Sequence, residues 1–141
     1  MTVGLVIVSH SAQLAEGVVE LAGQMAQGKV AIAAAGGTAA GALGTSVEKI
    51  LAALHVVDGP DGVLVLLDLG SAVMATEMAI EAFTEGRENF QDHIIISSAP
   101  LVEGAVIAAV ESSIGNSLHE VAEAAAEACT LPKVHSQNSQ D

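Results

Sequence analysis

Val3-Gly4-Leu5-Val6-Ile7-Val8-Ser9-His10-Ser11 begins the chain with an apolar run that stops abruptly on three polar residues. The run is nearly continuous rather than alternating, the mark of a strand covered on both faces, as in a parallel sheet. Three more runs of the same kind follow: Val30 to Ala34, Val63 to Leu67 and His93 to Ile96. Helical patterns lie between them. Leu14, Val18, Leu21 and Met25 share one face of a helix, and so do Val47, Ile50, Leu51 and Leu54. A third helix is expected from about Ser71 to Phe83, a fourth from Leu101 to Ser112, and a last one carries Leu118, Val121, Ala122 and Ala125. Two of them open with the spacing of a capping box, Thr45 with Glu48 and Ser117 with Glu120. Strand alternating with helix predicts an α/β domain of three layers, α/β/α, with a mainly parallel central sheet.

One such domain accounts for residues 1–130, and the polar residues from 131 to 141 read as a mobile tail. Half of the 141 residues are apolar, but there are two Phe and neither Trp nor Tyr. The core must therefore be aliphatic, and its many alanines imply closely packed helices. Four basic residues face seventeen acidic ones. That surface repels phosphate backbones and anionic membranes, and favours a protein partner with a basic face. The one cysteine, Cys129, excludes a disulfide within the chain and reads as a small core residue in an Ala-rich stripe. No basic n-region opens the chain, and no apolar run approaches the roughly 20 residues of a membrane helix. The expectation is a cytoplasmic protein.

Ligands of open parallel sheets bind beyond the carboxyl ends of the strands. The residues there are Ser9-His10-Ser11, Gly36-Gly37-Thr38, Asp68-Leu69-Gly70-Ser71 and Ser97-Ser98-Ala99-Pro100. Small residues and helix N-termini suit an anion. No Lys or Arg in these segments would hold one permanently, so a transient phosphoryl group fits better than a stored ligand. His10 is the only histidine of that edge, and Asp68 suits the role of fixing its tautomer, leaving the other ring nitrogen free to attack. A metal would want more ligands than Asp68 alone supplies, so none is expected. A serine hydrolase would need a G-x-S-x-G elbow, which is missing. Each residue also has a plain structural reading: His10 or Ser71 as a helix cap, Asp68 as a turn residue, Gly36-Gly37-Thr38 as a loop. His55, His93, His119 and His135 are assigned no role.

Val6-Ile7-Val8-Ser9-His10-Ser11 with Leu14, Glu16 and Gly17 resembles the start of the phosphotransfer subunits of bacterial dihydroxyacetone kinase, the DhaM family. Leu66-Leu67-Asp68-Leu69-Gly70-Ser71-Ala72 with Glu77, and Ala99-Pro100-Leu101-Val102-Glu103-Gly104, are similar to it too, as are Gly36-Gly37-Thr38 and Gly44-Thr45-Ser46. The similarity runs over about residues 1 to 129. The resemblance implies a mannose-type IIA fold of the phosphoenolpyruvate:sugar phosphotransferase system, usually homodimeric. It implies a phosphotransferase component in which the phosphocarrier HPr phosphorylates His10 at Nε2. The group would then pass to ADP held on a nucleotide-binding (DhaL-type) subunit, whose ATP phosphorylates dihydroxyacetone on a DhaK-type subunit. The chain itself would bind no cofactor. Some relatives continue into HPr-like and enzyme I-like domains; here a separate HPr is expected. Some carry acidic residues where this loop has Ala39-Ala40, and sugar-transporting relatives show an Asp-Leu-Phe-Gly-Gly-Ser type run where this chain reads Asp68-Leu69-Gly70-Ser71.

The expected chemistry is in-line phosphoryl transfer at a shallow site, with backbone N–H groups near Gly37, Thr38, Gly70 and Ser71 cradling the oxygens. Three rivals are a IIA component of a sugar transporter, a receiver-type domain phosphorylated on Asp68, and a binding module in which His10 merely caps a helix. The receiver lacks its acidic cluster after strand one and its later lysine.

Overall fold

In a computed structural model, which describes residues 2–87 and 93–134, the first apolar run forms strand β1, Gly4–Ser9, and every one of its residues is buried. The chain continues through α1 (Ala12–Met25), β2 (Ile32–Gly36), α2 (Val47–Val57), β3 (Val63–Leu67), α3 (Ala72–Thr84), β4 (Ile94–Ile96), α4 (Leu101–Ser113) and α5 (Leu118–Ala126), closing with a 3-10 turn, Glu127–Thr130. The strands lie in the order β2-β1-β3-β4, all parallel. Leu5 and Ile7 point into one core with α1, α4 and α5, whereas Val6 and Val8 point into a second with α2 and α3. Two cores on one strand are why the run does not alternate. No helix among the described residues is long and apolar enough to cross a membrane.

The second strand lies two residues later than expected, because Gln27 and Gly28 at positive φ end α1 and the chain needs three further residues to reach the ladder. β4 starts at Ile94 rather than His93. The face proposed for α1 is corrected. Of its residues only Val18 is buried; Leu14, Leu21 and Met25 are exposed, and Ala15 and Ala22 take the core positions. Small residues win there because the helix lies close on β2: a Cβ added to Gly36 would stand 2.8 Å from that of Ala15. The box at Thr45 is also corrected. Ser46, with extended backbone, is the cap, and accepts from the Lys49 N–H. At Ser117 and Glu120 both bonds of the box are present. Cys129 is exposed rather than buried. The chain tightens to three residues per turn at Glu127, so Ala128, not Cys129, continues the face of Ala125. Lys133, in the segment read as tail, pairs with Glu103 at 2.7 Å; residues 135–141, His135 among them, lie outside the described residues.

Candidate active site

β1 and β3 pair with Val8 opposite Leu67, and the ladder runs one step further, where the Asp68 N–H donates to the Val8 carbonyl at 3.1 Å. That register sets Asp68 opposite Ser9, with both side chains on one face of the sheet. The Asp68 carboxylate then gathers four donors. Oδ2 accepts from the Ser9 hydroxyl and the His10 backbone N–H, both at 2.9 Å. Oδ1 lies 3.0 Å from His10 Nδ1 and 2.7 Å from the Leu69 N–H. Partial burial works against the charge, but the bonds from the His10 backbone, the His10 ring, Ser9 and Leu69 outweigh it and hold the carboxyl below the ordinary aspartate range.

An ionised carboxylate only accepts, so Nδ1 must carry a proton. In the neutral ring Nε2 is then bare. The Ser71 hydroxyl lies 2.9 Å from it and donates to its lone pair. Ser71 is free to do so because its backbone is already helical and its side chain caps nothing. The His10 side chain keeps 27% of its surface and that of Asp68 13%. The ring is reachable while the carboxylate that holds it is shielded.

Gly36 and Gly37 let the neighbouring loop close over His10. A Cβ at Gly36 would stand 2.5 Å from the Ser11 carbonyl, and Gly37 has φ +72°. The loop folds back on Thr38, whose N–H donates to Ala42 and whose hydroxyl accepts from the Ala42 N–H. The Gly44 N–H then pins the loop to the His10 carbonyl at 2.9 Å. The expected cradle is thereby narrowed. The Gly37 N–H already serves the Ser9 carbonyl at the end of β1 and that of Thr38 serves Ala42 within the loop, since backbone donors seek partners wherever they are at hand. The N–H groups of Gly70 and Ser71 have no acceptor among the described residues and lie at the positive end of α3, whose Ser71 hydroxyl reaches Nε2.

One participant was missed. Ser9 stands one residue before His10, and as the first polar residue after its run it could have been paired with Asp68, the first polar residue after the third run. Lys49 also comes to that edge, but its Nζ donates to the Gly36 carbonyl at 2.9 Å and not to His10 or Asp68. It arrives from α2, and no local signal shows that reach. Among the described residues no group of three or more His, Cys, Asp or Glu could hold a metal ion. Asp68, with every acceptor direction of its two oxygens engaged, is poorly placed to be a phosphoryl acceptor itself.

The model of the family described as EIIA-man, PTS system fructose IIA component, matches residues 4–122. The chain is 38% identical, over 94% of its length, to the phosphoryl donor subunit DhaM of a PEP-dependent dihydroxyacetone kinase from Klebsiella michiganensis, of which it spans 28%. To the corresponding subunit of kinase 2 from Listeria innocua it is 34% identical over 82% of its length and spans 90% of that protein. The first curated relatives are thus about four times longer than the region they share with this chain, whereas the Listeria protein is of similar size. A crystal structure of a protein of unknown function superimposes with a TM-score of 0.75 at 32% identity, covering 90% of this chain and 95% of that one.

Proposed function

The chain belongs to the EIIA-man family and its DhaM branch, and from that premise we propose that it is the phosphoryl-donor component of a dihydroxyacetone kinase, working through a phosphohistidine at His10. The observation that carries the reading is the state of the ring: Nδ1 held by an ionised Asp68, Nε2 bare and exposed at the carboxyl edge of the sheet. HPr is the donor. The lone pair of Nε2 attacks the phosphorus of its phosphohistidine, the donor's P–N bond breaks as the new one forms, and the Nδ1 proton stays with His10. Ser71 gives up its bond to Nε2 in that step and turns its hydroxyl to the incoming oxygens, which the Gly70 and Ser71 N–H groups also meet. Asp68 stabilises the positive charge the ring acquires. The second transfer reverses this geometry toward ADP on a nucleotide-binding subunit of DhaL type, acting with a DhaK-type subunit that holds dihydroxyacetone.

The surroundings suit a succession of protein partners. Leu14, Leu43, Leu69 and Met74 stand exposed on the segments that frame His10, and the strongly acidic chain favours basic partner faces. The family description, a fructose IIA component, supports a second reading in which the acceptor is a sugar-transporter component.

The test is a reconstituted relay of phosphoenolpyruvate, enzyme I and HPr. Wild type takes up label that is acid-labile and stable in base, and His10→Ala takes up none while remaining folded. Drainage of the label by the nucleotide-binding subunit with ADP supports the kinase; drainage only by a transporter IIB component supports the second reading. Label that persists in His10→Ala refutes both.

A further inference from the structure

We propose that Ser9 is a positioning residue that acts on His10 through Asp68: its buried hydroxyl fixes the carboxylate so that Nδ1 keeps its proton and Nε2 stays bare. The proposal deepens the phosphohistidine reading and rests on it.

The side chain of Ser9 is fully buried. Its oxygen accepts the Ser11 N–H at 3.0 Å, so its single proton is directed at Asp68 Oδ2, 2.9 Å away. This matters because the terminal torsion of an aspartate is soft. The carboxylate plane is fixed only by donors on both of its oxygens. On Oδ1 these are the ring of His10 and the Leu69 N–H; on Oδ2 they are the His10 N–H and Ser9. Apart from Ser9, Oδ2 is held by His10 alone, the residue that the carboxylate has to orient. Ser9 is the fixed reference outside His10 on that side, tied to the end of β1 by the ladder and to the start of α1 by Ser11. The merely structural alternative is that Ser9 exists to satisfy the Ser11 N–H and hold the first turn of α1.

The test uses the full chain with 15N-labelled histidine. The tautomer of the free His10 ring is read by NMR at neutral pH in wild type, Ser9→Ala, Ser9→Thr and Ser11→Ala, and each is then timed for phosphoryl uptake from phospho-HPr. Ser11→Ala removes the side-chain cap of α1, whose oxygen accepts from Leu14, and leaves the Ser9–Asp68 bond in place. Expected are a single tautomer, Nδ1 protonated, in wild type and Ser11→Ala; a mixture in Ser9→Ala with uptake slowed about tenfold, the scale of one charge-assisted hydrogen bond; and recovery in Ser9→Thr, which keeps the hydroxyl. A wild-type tautomer and rate in folded Ser9→Ala would overturn the proposal, as would an equal disturbance in Ser11→Ala. If the tautomer responds as described while even wild type takes up no label, the positioning stands and the relay reading falls.

Discussion

Replacing Asp68 by Asn removes a charge without removing volume, and the geometry around the carboxylate dictates the outcome. Four donors converge on its two oxygens. An amide offers one acceptor oxygen and one donor group. With its oxygen toward Oδ2, it keeps Ser9 and the His10 N–H but opposes its NH2 to Nδ1 and the Leu69 N–H. The ring then accepts at Nδ1 and moves its proton to Nε2, which loses its free lone pair. With its oxygen toward Oδ1, it keeps the ring but opposes Ser9 and the His10 N–H. The first orientation leaves the Leu69 N–H without its acceptor and the second leaves Ser9 and the His10 N–H, at about 1–3 kcal/mol each when buried. Water reaches this half-shielded site and recovers part, so the net loss of stability should be about 1–3 kcal/mol. The charge-assisted bond to the ring is itself worth about 1.5–3 kcal/mol, or about 10- to 150-fold in rate, and the wrong tautomer pushes toward the upper end. Urea unfolding at neutral pH measures the first quantity and rapid-quench phosphoryl uptake the second. An Asn variant as stable as wild type, and phosphorylated within about threefold of its rate, would refute the account of how His10 is held.

Ser71→Ala should leave stability within about 0.5 kcal/mol, since no cap is lost, while slowing uptake about tenfold; an unchanged uptake rate removes Ser71 from the site. Gly36→Ala drives a Cβ to 2.5 Å from the Ser11 carbonyl and 2.8 Å from the Ala12 Cα, both backbone, so it should cost about 1–3 kcal/mol or more in urea unfolding and displace the start of α1. A depressed Asp68 contributes stability that is present above the ordinary aspartate value of 3.8 and lost as pH falls through its lower folded value. The stability gap between wild type and Asp68→Asn should therefore shrink as pH falls below 3.8. A gap that persists undiminished in strong acid would contradict the sign.

The continuous runs revealed the fold because each β1 residue serves one of two cores, and burial on both faces leaves nothing for polar residues to do until the strand ends. The same logic made the edge legible: where Val8 stops, Ser9-His10-Ser11 begins. What stayed hidden were choices made by packing distance. Leu14, Leu21 and Met25 form a credible apolar face, yet α1 turns its alanines inward because Gly36 brings the strand too near for leucine. Cys129 shares the helical phase of Ala125, yet a change from about 3.6 to about 3.0 residues per turn moves it outside. Lys49 reaches the edge only through the docking of α2.

The site itself is a consequence of register rather than of loops meeting by chance. Opposite pairing of β1 and β3 sets Asp68 beside Ser9, and the next backbone N–H, that of His10, falls on the same carboxylate. The ring is thereby tied to the two buried central strands, while Ser71 and the open N–H groups come from the start of α3. A slip of one residue between these strands would send Asp68 to the opposite face and abolish the site. The pairing is secured by the fully buried Leu5, Val6 and Ile7 opposite the fully buried Leu64, Val65 and Leu66. The apolar core of the sheet and the aim of the His10 ring are therefore the same structural decision: on the proposed function, any substitution that loosens the β1–β3 ladder should lower phosphoryl uptake before it unfolds the chain.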